Sequence, residues 1–324
     1  MKCLSPEAKK SMAKIFSLVN MSELPALSDN VTELLSLLGN KNSTTNQLTQ
    51  VILKDVSLTS KVLQVVNSAF YSRGTRIGSV DRAISLVGLA TIHELATSIA
   101  IFENFTKAGG DKKEISNLLT KSYLAGNLAK TISINKKLRV CHDEAFICSL
   151  FHNLGELIVL IYLPDLYRKI EAQISAGQNQ QYAARKILHD LTFYQVGMEI
   201  ADFWNLQEKI IYSMHPKPPK LRHSGDKTAI LMNVAAFSNQ ITEVVNNCGQ
   251  ISPIIQRYYP TLKVTQSEAL AMLSRVIDSA GHTSNIIQIG LQALKLHKKI
   301  TAITNKKNEK YIHDSTRSTP CYPA

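Results

Sequence analysis

The feature that most constrains this chain is a helical period that runs through almost every segment. Val31, Leu34, Leu35 and Leu38 put apolar side chains on one face at the spacing i, i+3, i+4, i+7, and Leu58, Val62, Val65 and Val66 form a second such stripe. Short polar breaks separate the stripes. Gly39 ends the first, Ser43–Thr44–Thr45 can cap a helix carrying Leu48, Val51 and Ile52, and Ser79 can cap one carrying Ala83, Ile84 and Val87 before Gly88. A longer helix is expected over about 90–105. Apolar–polar alternation persists nowhere, and the run from Ile158 to Leu163 is short and continuous. With 14 Gly and 10 Pro in 324 residues, the chain also lacks the turn residues of an all-β architecture. The expected fold class is all-α, a two-lobed helical array.

Gly109–Gly110–Asp111 is the expected boundary between the lobes. Beyond it, helices are expected over about 114–132, 143–152, 157–162, 166–175, 180–189, 194–203 and 207–214, closed by Pro216, Pro218 and Pro219. A further helical section covers 226–247, 252–259, 265–279 and 284–299. From 301 onward the chain is polar without an apolar period, and a disordered tail is expected. The longest apolar stretch, Phe146 to Leu163, contains His152, Asn153, Gly155 and Glu156, which favours a pair of buried core helices over a membrane span.

Charge and cysteine narrow the function classes. The net charge is +12, which raises nucleic acid or an anionic membrane as partners. Residues 1–14 carry four Lys against one Glu, and residues 295–324 carry seven Lys or Arg against two acids, so most of the excess sits at the two ends. Solvated ends are the simpler reading, and nonspecific nucleic-acid binding is kept only as an alternative. Cysteines 3, 141, 148, 248 and 321 are odd in number and show no C-x-x-C, so neither a disulfide framework nor a zinc cage is expected. Reduced thiols and the absence of an apolar run after Met1–Lys2–Cys3–Leu4–Ser5–Pro6 lead to the expectation of a cytoplasmic protein with no membrane partner. Neither a P-loop nor a G-x-G-x-x-G or G-x-S-x-G motif occurs. His93–Glu94 is followed by Thr97 where a zincin needs His. The loop inside Leu58–Val87 is too long for a helix-turn-helix DNA reader.

Several longer patterns carry a resemblance. Leu24–Pro25–Ala26–Leu27, Asp55-x-x-Leu58, Lys61–Val62–Leu63, Val66–Asn67–Ser68–Ala69–Phe70–Tyr71, Ile77-x-Ser79 and Leu86–Val87–Gly88–Leu89 follow in order over 23–105. Ala145–Phe146-x-x-Ser149–Leu150–Phe151–His152–Asn153–Leu154–Gly155–Glu156–Leu157 comes next, then Val196–Gly197, Phe203–Trp204-x-Leu206 and Met214–His215. Together these resemble the HDOD family, a branch of the HD phosphohydrolase superfamily, over about 23–216. The resemblance implies an HDOD amino-terminal lobe over 21–108 and an HD-like helical bundle over 109–220. These would be flanked by a helical extension over 1–20, another over 221–300, and a basic tail over 301–324.

In a catalytic HD enzyme a His, a His–Asp pair and a later Asp surround a divalent metal, whose bound water attacks phosphorus. By resemblance the first His falls on Lys121 and the pair on His152–Asn153. The last Asp falls in the helix 229–239, nearest Ala236 or Asn233. Only His152 remains of that set, so no metal and no cofactor are expected, and catalysis is not expected either. Glu156 stands where the family tends to carry a basic residue and is expected to pair with Lys121. The plain expectation for His152 is a buried imidazole bonded to backbone. For His215 it is a turn residue or a cation at a helix C-terminus. Asp55 is expected to cap a helix, Asn67 and Ser68 to close one, Gly155 to be a structural glycine of the motif, and Trp204 to pack in the core.

The resemblance implies a bacterial signal-transduction or regulatory module that works by binding. The expected site is a groove between the lobes, with Lys121, His152, Asn153, Glu156 and His215 as candidates for contact with a small ligand or with another signalling protein in trans. A residual metal-dependent phosphohydrolase or phosphodiesterase is the competing reading.

Overall fold

The structure, a computed structural model, describes residues 29–37, 44–67, 77–107, 111–219, 226–280 and 285–303. All regular structure among them is helical, as the period of the sequence predicts. Ser68, the loop Tyr71–Gly74, Gly109–Gly110, the segment 1–20 and the tail from 304 lie outside the described residues.

The amino-terminal lobe comprises α1 (Asp29–Leu37), α2 (Thr45–Leu53), α3 (Val56–Val66), α4 (Val80–Val87) and the first half of α5 (Leu89–Lys107). Its helix starts are fixed by side-chain caps. Thr44 and Gln47 form a capping box, Asp55 accepts from the amides of Ser57 and Leu58 at 2.8 and 3.1 Å, and Ser79 accepts from Arg82 N. Asn67 ends α3 and clamps the chain ten residues on. Its Nδ2 donates to Leu63 O and Ile77 O, and its Oδ1 accepts from Ile77 N. Leu34, Leu48, Ile52, Leu58, Val62, Ala83, Ile92 and Leu95 fill this lobe's core.

The second core is larger. It is built on α6 (Lys112–Asn135), α7 (His142–Leu150), α8 (Leu154–Tyr162), α9 (Pro164–Ser175), α10 (Gln180–Ile187), α11 (Phe193–Phe203) and α12 (Glu208–Ser213). It continues without interruption into α13 (Lys227–Asn246), α14 (Ser252–Leu262), α15 (Gln266–Ala280), α16 (Asn285–Leu294) and a last helix over 296–303. The carboxy-terminal helices are thus integral to this bundle, with α13 packed along α6 and α7. The final helix runs two residues past the expected start of the tail. The stretch 146–163 is two helices, α7 and α8, broken at 151–153 and buried in the core.

The change of core falls inside a helix. Along α5, residues Ile92 to Ile99 belong to the first core, whereas Ile101, Phe102 and Phe105 belong to the second. The hydrophobic division therefore lies near Ala100, about ten residues before the glycines expected to mark it. A continuous helix can serve two cores because its apolar positions recur around more than one face. Val31 and Leu35 of α1 also enter the second core. Between the lobes, Lys130 of α6 pairs with the buried Glu94 of α5 and lies 3.5 Å from Asp143 of α7.

Candidate functional site

The break between α7 and α8 presents His152 and Asn153. Both are held by backbone or amide groups, and neither has a charged partner. His152 is 8% exposed, and its Nδ1 lies 2.6 Å from Ser213 O at the end of α12. A carbonyl only accepts, so Nδ1 carries the proton and Nε2 keeps the lone pair. Burial lowers the imidazole pKa to about 4, so the ring is neutral at ordinary pH. The backbone-bonded histidine expected from the sequence is what the fold contains.

Asn153 Nδ2 donates to Asn239 Oδ1 at 2.9 Å. Asn239, on α13, is oriented in turn. Its own Nδ2 lies against Ser149 O, Ser149 Oγ and Ala235 O at 2.9–3.0 Å. Two carbonyls face that end of Asn239, so its oxygen must face Asn153, and Asn153 must offer its amide hydrogens there. The residue of α13 that reaches the motif is therefore Asn239, about one turn beyond the expected Ala236 and nearly two beyond Asn233. Asn233 bonds Pro219 O and Ala229 O, and Ala236 is core. No sequence signal singled out Asn239, because Asn233 on the same helix is a polar residue of the same type and is likewise buried.

Lys121 does not pair with Glu156. Its Nζ meets Glu243 Oε2 on α13 at 2.7 Å. Glu156 accepts from Gln180 Nε2 at 3.1 Å and, weakly, from Tyr167 Oη at 3.4 Å. Burial pushes the Glu156 carboxyl up to about 7. The Lys121 charge lowers it, and the neighbouring Glu243 and Glu171 charges raise it. Lys121 meets Glu243 because α13 packs closely on α6 and puts that carboxylate within direct reach.

His215 follows α12 and is half-buried. Its Nδ1 accepts from Lys217 N at 3.1 Å, its ring lies 5.0 Å from that of Tyr194, and burial followed by the Arg257 charge lowers its pKa. It is thus a neutral turn residue, not a helix-terminal cation. Gln240 and Arg257 hold this turn by donating to Pro216 O and Pro218 O. Gly155 sits where α8 crosses α11, and a Cβ there would lie 1.8 Å from Phe193 O. Trp204 packs at the rim of the second core against Phe105.

Two cavities adjoin this motif. One lies within the second core beneath the end of α5, holds about 20 Å³, and is mostly apolar, with Ile101 and Phe105 of α5 facing Leu119, Leu150 and Leu157. The other lies wholly in the second lobe and holds about 50 Å³, with His152, Asn153, Glu156, Gln180 and Thr192 among its walls. The candidate residues therefore do not line the single inter-lobe groove expected from the sequence. Asn153 touches both cavities, His152 and Glu156 line only the second, and Lys121 and His215 line neither.

The donor set does not fit the divalent metal of catalytic HD proteins. One imidazole and two amides supply no anionic ligand, and the lysine in the first position is held in an ion pair. Among the described residues no group of three His, Cys, Asp or Glu side chains could hold a metal ion.

Residues 24–217 match the family described as HDOD domain. A crystal structure of an HDOD domain protein of unknown function from Geobacter sulfurreducens is similar with a TM-score of 0.67 at 18% identity, covering 91% of this chain and 96% of that one. One from Shewanella amazonensis SB2B, named as a phosphohydrolase candidate, gives 0.57 at 20% identity over 90% and 98% of the two chains. One from Marinobacter aquaeolei VT8, named as a signal-transduction candidate, gives 0.60 at 18% identity over 85% and 60%. An uncharacterized protein of Treponema pallidum (strain Nichols) is 22% identical over 264 residues, 80% of this chain and 50% of that one. The chain thus spans about half the length of that curated relative.

Proposed function

The chain belongs to the HDOD domain family, and from that premise we propose that it is a non-catalytic signalling module that acts by binding a small ligand or another signalling protein in trans. The observation that carries this reading is the charge balance of the motif. Where the superfamily's chemistry needs anionic metal ligands, this chain has Asn153 and Asn239 bonded to each other, and Lys121 bonded to Glu243. Amides and a lysine do not offset a dication's charge, so a water beside them is not activated. Conversion of a metal centre into a neutral hydrogen-bonded site leaves recognition as the remaining use of the cavity. The work of such a module is bacterial and cytoplasmic in this reading, and nucleic acid is not its partner.

The test is metal content by elemental analysis of protein purified without a His tag, with manganese-supplemented hydrolysis of a generic phosphodiester. Substoichiometric metal and no turnover are expected. Stoichiometric metal with turnover lost in His152→Ala would hand the function to a phosphohydrolase.

A further inference from the structure

We infer that the 50 Å³ cavity beside His152 is a recognition site for an uncharged, hydrogen-bond-donating group of carboxamide size, an inference that rests on the binding-module reading above. The cavity's walls select the chemistry. His152, nine-tenths buried, spends Nδ1 on Ser213 O and has no partner for Nε2 among the described residues. Asn153 spends its amide hydrogens on Asn239 and likewise leaves Oδ1 without one. Glu156 adds a carboxyl that is an anionic acceptor once pH exceeds about 7. These are acceptors, and they call for N–H or O–H donors from an occupant.

Charge is excluded from both sides. No Lys or Arg lines the cavity, and an anion there would face the Glu156 carboxylate and two lone pairs. A cation is opposed by the backbone. Gly155 and Glu156 lie in the first turn of α8, Gln180 and Gln181 in that of α10, and Phe193 and Tyr194 in that of α11, so three positive helix ends meet at one small space. Asn179 already caps the Gln181 amide of α10, so the combination that suits the rest is a neutral group with an N–H edge for His152 and Asn153 and an oxygen toward the first turns of α8 and α11. A primary carboxamide has that pattern. The volume is room for about two waters and far below the ~300 Å³ of a drug-sized or nucleotide site, so the occupant is one functional group. It comes either from a free small amide or from the side chain of a partner's Asn or Gln.

Acetamide, acetate and acetamidinium have nearly one shape and carry zero, negative and positive charge. Each is titrated at matched ionic strength into the full chain with isotope-labelled histidine, following the His152 ring resonances by NMR. Acetamide is expected to move them saturably, with a Kd at least tenfold below those of both ions, and Asn153→Ala is expected to remove most of that preference. If acetate or acetamidinium binds as tightly, or no probe moves the ring, the inference is overturned. The wild-type comparison decides this even if the variant does not fold. Binding of acetate would leave the binding-module reading standing, whereas manganese-dependent turnover would remove that reading whatever the probes do. A glutamine-bearing tripeptide that binds tighter than acetamide would assign the group to a protein partner; binding no tighter than acetamide would assign it to a free amide.

Discussion

Two buried polar clusters, one between the lobes and one inside the second, solve the same problem in opposite ways. Between the lobes, Lys130 holds the buried Glu94 carboxyl and lies 3.5 Å from the partly exposed Asp143, so one cation faces two acids. At the α7–α8 break, His152, Asn153, Asn239 and Ser149 are joined by hydrogen bonds among neutral groups. A shared cation holds its carboxylates only while it is present, whereas an amide relay is indifferent to charge but sensitive to geometry. The motif nearest the superfamily's chemistry is thus the uncharged one, and the charged cluster serves as the joint between the lobes.

The largest effect that would break this contrast comes from the joint. Lys130→Met leaves the buried Glu94 without its cation and is expected to cost about 3 kcal/mol of stability by chemical denaturation, the low end for a buried pair because Asp143 is partly exposed. A loss near zero would mean that the lobes do not depend on the cluster.

The pH dependence of the two clusters should run in opposite directions. Burial raises Glu94 to about 8, outweighing the lowering effect of Lys130. A carboxyl raised in the fold binds protons more tightly there than in the unfolded chain. Its contribution is complete below the ordinary carboxyl range and is lost as pH rises through about 8, on the order of 2–3 kcal/mol after allowance for its coupling to Lys130 and Asp143. Thermal denaturation of Glu94→Gln should lack that alkaline decline. His152 is lowered to about 4, so its contribution is present above the ordinary imidazole value and is lost as pH falls through about 4. If Glu94→Gln keeps the full alkaline decline, the assignment to Glu94 is wrong.

Asn239→Ala sharpens the other side. It removes the partner of Asn153 and the donor to Ser149 and Ala235, with an expected cost of about 2 kcal/mol and no change in net charge. The smallest effect belongs to Lys121. A double-mutant cycle with Glu243 should give about 0.5–1 kcal/mol, because the Glu243 side chain is 48% exposed, and one with Glu156 should give less. The reverse ranking would restore the Lys121–Glu156 pair.

The all-α fold was legible because apolar period and caps act locally: Asp55, Ser79 and Thr44 cap the helices that follow them. The lobe division was not, since a Gly–Gly pair is a local signal, while the cores trade places midway along α5. At the site, the bonding of His152 to backbone was anticipated from its apolar surroundings, although the residue lies in the break between α7 and α8 and not on a helix. The partners Asn239, Glu243 and Ser213 lie 61–122 residues from the groups they meet, and only the packing of α12 and α13 brings them there. Lys121 and Glu156 are close enough to feel each other's charge, which is why complementary residue types alone pointed to the wrong pair.

The most direct test of the central claim, that the motif is a neutral and metal-free recognition site, is the ¹⁵N spectrum of the His152 ring, recorded against pH and with added zinc. The account predicts a proton on Nδ1, a bare Nε2, a pKa of about 4, and no change on adding one equivalent of zinc. A ring that shifts stoichiometrically with zinc, or that titrates at the ordinary histidine value, would contradict it.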